Sequence, residues 1–537
     1  MKIKNKTNNR LNNLKHIFYF IYDIDFIKFL LYLYQWNKIV PKNDLTFMLK
    51  NKEQLYQEYR NSRSLLVFAC EKGNLNIVKY LIKHGSNINE EKEKGLTPLI
   101  NACNYGHEAI VKYLLKHGVD VNKHSPLCHA CKNGYEILVK YLVEYGADIN
   151  DKDKQGDTPL IIACKKGNEN IIKYLVENGA DINRGSPLGV ACLDGNEKLV
   201  KYLVDNGAEV NKQNGNGDTP LIMACKSENE TIVKYLLENG ADINKESPLC
   251  TACLKGNESL VRYFIEHGAD INKINRYGET PLIKSCENGN IHLVKYLVEH
   301  GADVNDENIF NTPLTMACSS GKEDVVKYLI EQGADVNKET NGLFSSNTPL
   351  ISSCANGNLN MVKFLIELGA DINKYSPLCA ACENKNESVV KYLMEHGAEV
   401  NLENREGNTP LLMACKNGNE HLVHYLIEKG ADVNKENRYF SNTPLIIACD
   451  NGHGMIVKQL IKYGADVNKK NKYNGNTPLI IACKKKNEML VKYLVEHGAD
   501  LNKENKDGNT PLSMAQKRRY NNIYQYLTEH GAISTKN

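Results

Sequence analysis

One sequence unit, repeated in phase, constrains the fold of this chain more than any other feature. Its copy at residues 157–183 opens with Thr158-Pro159-Leu160, runs through a short apolar segment to Gly167, and ends a second apolar segment at Gly179. Fourteen of the fifteen prolines of the chain occupy the position of Pro159. The chain is therefore an array of repeats rather than a set of unrelated domains. The fifteen copies begin at Ser64, Thr97, Ser125, Thr158, Ser186, Thr219, Ser247, Thr280, Thr312, Thr348, Ser376, Thr409, Thr443, Thr477 and Thr510.

Each repeat predicts two short helices joined by a turn. Thr158 can cap the first helix, and Pro159 suits its first position, where a missing N–H costs nothing. Leu160, Ala163 and Cys164 follow at positions i, i+3 and i+4, which share one helix face. The second apolar segment predicts the second helix, and a glycine ends each of the two helices. Neither helix can bury its apolar face alone, so the repeats must stack on one another.

The Thr-Pro-Leu start of a roughly 33-residue unit with two helices and a turn resembles the ankyrin repeat. The resemblance covers about residues 64–533. The histidine that the family carries after the leucine is here Ile, Cys, Leu, Thr, Ser or Gly, and the second alanine is almost always cysteine. The resemblance implies an all-α fold, an α-solenoid of about fifteen stacked helix-turn-helix repeats with finger-like hairpin turns. It also implies a non-catalytic scaffold or adaptor that binds a protein partner through its concave face and finger tips.

The repeats divide the chain into three parts. Residues 1–63 depart from the pattern, and we interpret them as a divergent N-terminal segment that caps the array. Residues 64–533 form the array, whose last repeat, 510–533, has Gln516 in place of cysteine and Lys517-Arg518-Arg519 in place of the glycine turn. A polar outer face of this kind is what a C-terminal cap requires. Residues 534–537 are a tail.

Residues 17–36 leave a second interpretation open, because they are apolar and aromatic enough to suggest a membrane anchor. In that case the protein is a membrane-tethered ankyrin scaffold. However, Asp23, Asp25 and Lys28 lie inside the segment, and each costs roughly 2.5–3.5 kcal/mol at the centre of a bilayer. We therefore favour a cap and expect no membrane partner.

The connection from the second helix of one repeat to the first helix of the next is called the finger here. Most repeats start about 33 residues after the previous one, as the family does, but four start only 28 residues after it. Five residues of the finger are missing at each short step. The short repeats begin at Ser125, Ser186, Ser247 and Ser376. We expect both helices to persist in these repeats and the row of fingers to be notched.

Charge and cysteine usage limit the partners and the compartment. A net charge of +3 over 537 residues argues against a polyanion-binding surface, so we expect no nucleic-acid partner. Fourteen of the seventeen cysteines occupy the position of Cys164, where a small buried apolar side chain fits. Free thiols in that number indicate a reducing compartment, so we expect a cytoplasmic protein. We also expect a monomer.

Two patterns could carry chemistry. The pairs Cys128-x-x-Cys131, Cys250-x-x-Cys253 and Cys379-x-x-Cys382 have the spacing of zinc ligands, but the copies are too far apart along an extended array to share a metal. We expect buried thiols and no metal there. Because Walker-type loops, His-Glu-x-x-His and nucleophile-elbow motifs are missing from the sequence, we expect no enzyme, no catalytic residue and no cofactor. Seven histidines precede a helix-ending glycine, where a cation complements the last carbonyls: His84, His117, His267, His300, His396, His497 and His530.

Aromatic side chains at the finger tips are the candidate binding residues. The early tips are polar, as in residues 151–156, whereas later tips carry aromatic rings. Gly, Asn and Asp normally make such turns, and a tip offers little core for a ring to fill. Because tyrosine is enriched at binding hot spots, we hypothesise a partner site on the fingers of the C-terminal half. The alternative is scattered exposed apolar side chains, which are common. The candidates are Tyr277, Phe310, Phe344, Tyr439, Phe440 and Tyr473.

Overall fold

The computed structural model describes residues 65–91, 95–306, 311–340 and 347–534. Within these ranges it contains thirty α-helices and no β-strand, in consecutive packed pairs. The predicted all-α solenoid of ankyrin-like repeats is thereby confirmed. The chain forms two compact units, an N-terminal unit up to Pro220 and a C-terminal unit from Leu221.

The N-terminal unit holds five helix pairs in the described residues. They are α1 (Leu65–Glu71), α2 (Leu75–Lys83), α3 (Pro98–Asn104), α4 (Glu108–Lys116), α5 (Pro126–Asn133), α6 (Glu136–Glu144), α7 (Pro159–Lys166), α8 (Glu169–Glu177), α9 (Pro187–Leu193) and α10 (Glu197–Asp205).

The C-terminal unit holds ten further pairs in the described residues, and its first helix begins at the boundary itself. They are α11 (Pro220–Lys226), α12 (Glu230–Glu238), α13 (Pro248–Lys255), α14 (Glu258–Glu266), α15 (Pro281–Asn288), α16 (Ile291–Glu299), α17 (Pro313–Ser319), α18 (Glu323–Glu331), α19 (Pro349–Asn356), α20 (Leu359–Glu367), α21 (Pro377–Glu383), α22 (Glu387–Glu395), α23 (Pro410–Asn417), α24 (Glu420–Glu428), α25 (Pro444–Asn451), α26 (Gly454–Lys462), α27 (Pro478–Lys484), α28 (Glu488–Glu496), α29 (Pro511–Lys517) and α30 (Asn521–Glu529).

The helix ends of the full-length repeats follow the predicted chemistry. At the start of α7, the Thr158 hydroxyl oxygen accepts a hydrogen bond from the backbone N–H of Ile161 at 3.3 Å, with Pro159 in the first turn. At its end, Gly167 has φ 69°, a left-handed conformation that suits glycine. Short helices of seven to nine residues are marginal by themselves, so tertiary packing must hold them.

Packing runs from each repeat to the next. Within each unit, a first helix contacts its own second helix and the first helix of the following repeat, as α13 contacts α14 and α15. In the repeat of α7 and α8, the side chains of Leu160, Ala163, Cys164 and Leu175 are buried in these contacts. Burial of a leucine side chain contributes about 1.5–3 kcal/mol, so the stack stabilises helices that could not persist alone.

The short repeats keep both helices, as expected, but enter them differently. Ser125, Ser186, Ser247 and Ser376 all have left-handed backbone conformations, with φ between 51° and 62°. Their hydroxyls do not cap the helix as the threonines do. Instead, the hydroxyls of Ser247 and Ser376 lie 3.1 and 3.2 Å from the sulfurs of Cys250 and Cys379. A shortened finger thus arrives at the helix from a direction that turns the serine away from the N-terminal amides.

Within each of the two units, an asparagine at the base of the finger links consecutive repeats. The side-chain oxygen of Asn434 accepts from the backbone N–H of Asp466 at 2.8 Å, and its amide donates to the carbonyl of Gly464 at 3.1 Å. These amides therefore bind successive repeats together outside the apolar core. The asparagines that accept in this way are Asn89, Asn122, Asn150, Asn183, Asn244, Asn272, Asn305, Asn337, Asn373, Asn401, Asn434, Asn468 and Asn502.

Two sequence interpretations concern residues that the structure does not describe. The predicted N-terminal cap, residues 1–63, and the alternative anchor, residues 17–36, both lie outside the described ranges. In the part of the chain that is described, none of the helices combines the length and the apolar character needed to span a bilayer.

We predict that Ala252→Asp unfolds its own neighbourhood first. Ala252 is fully buried on α13, where a carboxylate finds no partner, and burying such a charge costs on the order of several kcal/mol. Hydrogen–deuterium exchange followed by mass spectrometry should show faster exchange across residues 248–299, because stability in a stack passes mainly between neighbours.

The matched control is Leu254→Asp, which places the same charge at an exposed position of the same helix. This variant should exchange as the wild type does. A uniform rise in exchange over the whole C-terminal unit in Ala252→Asp would contradict nearest-neighbour stabilisation.

Candidate partner-binding surface

Four consecutive fingers of the C-terminal unit are tied together through their tips. They comprise residues 402–409, 435–443, 469–477 and 503–510. A backbone N–H at the start of each later tip donates to a carbonyl of the tip before it, so the four loops hold one another in place. The three bonds are Arg438 N to Gly407 O at 3.1 Å, Lys472 N to Phe440 O at 3.2 Å and Lys506 N to Asn474 O at 3.0 Å.

A second row of hydrogen bonds lies at the base of these fingers. The side-chain amides of Asn437, Asn471 and Asn505 donate to the side-chain oxygens of asparagines on the preceding fingers, at 3.3, 2.9 and 2.8 Å. At the last finger, the Lys517 ammonium donates to the side-chain oxygen of Asn509 at 2.6 Å and ends the row. Hydrogen-bonded loops of this kind lose little conformational entropy when a partner binds.

Three of the predicted aromatic residues lie on the two central fingers. Tyr439, Phe440 and Tyr473 are 64%, 48% and 70% exposed, so their rings fill no core. The rings of Phe440 and Tyr473 come from adjacent fingers and pack edge to face, with centroids 5.8 Å apart. This geometry is favourable for aromatic pairs. We call these three residues the aromatic patch, and fingers 435–443 and 469–477 the aromatic fingers.

A groove of about 750 Å³ runs beside the patch. Its lining combines two aromatic rings with charged and amide groups, which suits an apolar side chain flanked by polar ones. The groove is lined by Arg405, Glu406, Asn408, Asn437, Arg438, Tyr439 and Phe440.

Two partly buried carboxylates orient the basic side chains of the aromatic fingers. Glu403 lies 3.3 Å from the guanidinium of Arg438, and Glu436 lies 2.9 Å from the ammonium of Lys469 and 3.8 Å from that of Lys472. Partial burial disfavours ionisation of Glu436, but the hydrogen bonds from Lys469 and Ser441, together with the charges of Lys469 and Lys472, outweigh it and hold the pKa of Glu436 below its usual value. Both fingers therefore keep ion pairs at their base.

Tyr375, which the sequence did not single out, supports the groove from the neighbouring short repeat. Its ring lies 4.0 Å from the guanidinium carbon of Arg405, and its hydroxyl donates to Glu339. The same Arg405 lies 2.9 Å from Glu339. The hydrogen bond from Tyr375, with the charges of Lys374 and Arg405, lowers the pKa of Glu339. One feature of the sequence could have pointed to Tyr375. It directly precedes the Ser-Pro-Leu of a short repeat, and the other short repeats have histidine, glycine or glutamate at that position.

The remaining candidates stand apart from the patch. Tyr277 is 68% exposed on a finger five repeats before that of Tyr439, and its ring lies 5.7 Å from the guanidinium carbon of Arg276. Phe310 and Phe344 lie outside the described residues. The structure therefore groups three of the six predicted residues and leaves Tyr277 isolated from them.

The N-terminal unit shows a different surface. The notch at the short repeat of Ser125 is a groove of about 350 Å³ whose accessible groups include His124, Lys132, Lys152 and Asp153. Its finger tip, residues 151–156, is polar and holds no aromatic ring. Among the described residues, no group of three His, Cys, Asp or Glu side chains is placed to hold a metal ion.

The cysteines lie inside the stack. All seventeen are buried, which confirms the predicted burial, and none of them forms a disulfide. In the Cys-x-x-Cys pairs the first sulfur faces the next finger, as Cys250 lies 3.3 Å from the carbonyl of Glu279 and Cys379 lies 3.2 Å from that of Asn408. Burial raises the pKa of the Cys128, Cys250 and Cys379 thiols to about 12, so they stay protonated and weakly nucleophilic.

The seven histidines complete helix ends, as the sequence predicted. In each, Nδ1 lies 2.8 Å from the backbone carbonyl oxygen four residues earlier, and the ring packs beside the tyrosine of that residue. For six of these tyrosines, a basic side chain of the previous repeat also covers the ring, as Arg262 covers Tyr296 at 4.2 Å. The tyrosines thus pack between repeats, and the histidines are spaced too far apart to form one site.

The chain matches the family model described as ankyrin repeats (3 copies) over residues 19–125, 120–186, 183–247, 244–308, 308–376, 337–404, 378–471 and 445–537. These matches span nearly the whole sequence, so the chain belongs to the ankyrin-repeat family. Repeats of this family are generally protein–protein interaction modules, and proteins built from them are typically non-catalytic. A search of the curated proteins found no match.

We predict that the thiols resist alkylation in the folded protein. With a pKa of about 12, only about one Cys128 thiol in ten thousand is ionised at a pH of about 8. Iodoacetamide should label almost none of the seventeen cysteines in native protein and all of them in denaturant, as counted by intact-mass spectrometry. Rapid native labelling, or zinc bound in stoichiometric amount, would show that these thiols are accessible sites rather than packing residues.

Proposed function

We propose that this protein is a non-catalytic scaffold or adaptor that binds a protein partner through the finger tips of its C-terminal unit. The observation that carries the proposal is the aromatic patch: three large rings are exposed together on two adjacent fingers. Isolated exposed apolar side chains are common, but here two tyrosines and a phenylalanine are exposed on adjacent fingers, and Tyr439 and Phe440 line a groove, a composition typical of a binding hot spot.

The support beneath the patch favours the same function. The tip-to-tip backbone bonds and the asparagine amides hold the fingers in place in the free protein. Binding of a partner therefore costs little free energy for ordering these loops. Burial of the cysteines without disulfides fits a reducing compartment, and we propose a cytoplasmic location. Because the described repeats cover their apolar faces with neighbours from the same chain, we propose that it acts as a monomer.

The test is the double variant Tyr439→Ala and Phe440→Ala. Truncation of a hot-spot aromatic costs about 2 kcal/mol or more, so the partner's Kd should rise at least roughly thirtyfold. The melting temperature should stay nearly constant, because both rings are exposed. Affinity capture with quantitative mass spectrometry identifies partners that the wild type retains and the variant loses, and titration calorimetry with one such partner measures the change in Kd.

Two controls separate the patch from the rest of the row of fingers. Lys152→Ala with Lys154→Ala alters a polar finger of the N-terminal unit, and Tyr277→Ala removes an equally exposed ring outside the patch. Neither should change the Kd by more than about twofold, within the scatter of ordinary surface substitutions. If the lysine pair weakens binding and the aromatic pair does not, the site lies in the N-terminal unit or on the helices, and the proposal fails.

A further inference from the structure

The aromatic fingers are also the most basic of the four that are tied together. Together they carry five basic residues and one acidic residue, Glu436. The flanking fingers do not share this excess: 402–409 has one basic residue and two acidic ones, and 503–510 has two of each. Positive charge and exposed aromatic rings therefore coincide on the same two loops. The basic residues are Lys435, Arg438, Lys469, Lys470 and Lys472.

The basic side chains extend further into solvent than the carboxylates that pair with them. The side chains of Arg438 and Lys472 are 63% and 81% exposed, whereas Glu403 and Glu436, their partners, are partly buried at the base of the fingers. Within the described residues Lys470 makes no ion pair. The internal ion pairs thus orient these cations without cancelling the excess of positive charge at the tips.

The charge pattern along the row also limits the length of the site. Arg405, Arg438, Lys472 and Lys506 occupy the first tip position of the four fingers, and the tip-to-tip backbone bonds align them. At the next position the aromatic fingers carry tyrosine, but the flanking fingers carry the exposed carboxylates Glu406 and Asp507. A carboxylate at each end confines the anion-attracting surface to the two central fingers.

We propose that the aromatic fingers recognise a short acidic segment of a protein partner that carries an apolar or aromatic side chain. The apolar side chain enters the groove beside Tyr439 and Phe440, and the carboxylates on either side of it meet Arg438, Lys470 and Lys472. This inference rests on the proposed function and specifies the chemistry of its partner.

Single-stranded nucleic acid is the other ligand that combines negative charge with stacking on aromatic rings. The row of fingers disfavours it, because a phosphate backbone that continues past the two central fingers meets Glu406 on one side and Asp507 on the other. A peptide places its charges only where its sequence puts them, so an acidic segment of a few residues can stop short of both carboxylates.

The direct test is fluorescence anisotropy with the full-length chain and labelled peptides of about twelve residues, long enough at about 3.3 Å per residue to cross two fingers. The first peptide alternates glutamate with phenylalanine and leucine. The second replaces each glutamate with glutamine, the third replaces each apolar residue with alanine, and the fourth replaces each glutamate with lysine. An oligouridylate of similar length is the nucleic-acid probe.

The acidic apolar peptide should bind at least tenfold more tightly than the glutamine peptide and the alanine peptide. Its affinity should fall as the salt concentration rises from about 50 to about 300 mM, because exposed charges are screened. Failure of the first peptide to bind, binding of the glutamine peptide with equal affinity, or tighter binding of the oligouridylate would each overturn the proposal.

Charge reversal tests whether Lys470 and Lys472 contact the acidic peptide. Lys470→Glu with Lys472→Glu should weaken the acidic peptide at least tenfold and should allow the lysine-substituted peptide to bind in its place. The matched control, Lys152→Glu with Lys154→Glu on a polar finger of the N-terminal unit, should leave both affinities unchanged. Equal binding of the acidic peptide to the wild type and to the Lys470/Lys472 variant would remove the basis of the proposal.

The same variants distinguish this inference from the proposed function. If a captured partner is lost from the Tyr439/Phe440 variant but binds the Lys470/Lys472 variant normally, the aromatic patch binds a partner and its preference for acidic segments is wrong. If neither variant loses the partner, the proposed function fails as well.

Discussion

The structure depends on one constraint: a pair of helices seven to nine residues long cannot bury its apolar face by itself. Every repeat must therefore pack its apolar face against its neighbours, and the helices can approach closely only where their side chains are small. Alanine and cysteine meet this need on the first helices, where residues such as Ala163 and Cys164 are fully or almost fully buried. The same burial is the reason to expect slow alkylation of the thiols, since desolvation raises the pKa of a thiol such as Cys128 and keeps it protonated.

Stacking has a second consequence, because it brings the connections between helices into register. Asparagines at the finger bases accept backbone amides of the next repeat, and in the C-terminal unit a second set of asparagines joins the fingers themselves. Loops that would otherwise be mobile become hydrogen-bonded supports. Exposed rings such as Tyr439 and Tyr473 can then be held at the surface without a core beneath them, which is the arrangement that a preorganised binding surface needs.

The sequence identified part of this surface and missed the rest for a physical reason. Aromatic residues in a turn are conspicuous in sequence, so Tyr439, Phe440 and Tyr473 could be predicted. Tyr375 could not, because its role depends on Arg405 and Glu339, which are distant in sequence and meet it only across a shortened finger. The serines that open the short repeats occupy the sequence position of the capping threonines, and only the backbone conformation distinguishes them.

The sequence by itself determined the repeat, its two helices, the threonine caps and the burial of the cysteines, because each of these follows from local spacing and side-chain chemistry. Only the tertiary structure decided which fingers are hydrogen-bonded to each other, which aromatic rings pack together between fingers, and where the ion pairs leave positive charge exposed. Those features arise between residues about thirty positions apart, where contact depends on how the repeats stack. Local patterns carry no information about such distances, so the proposed binding surface emerges only once the stack is formed.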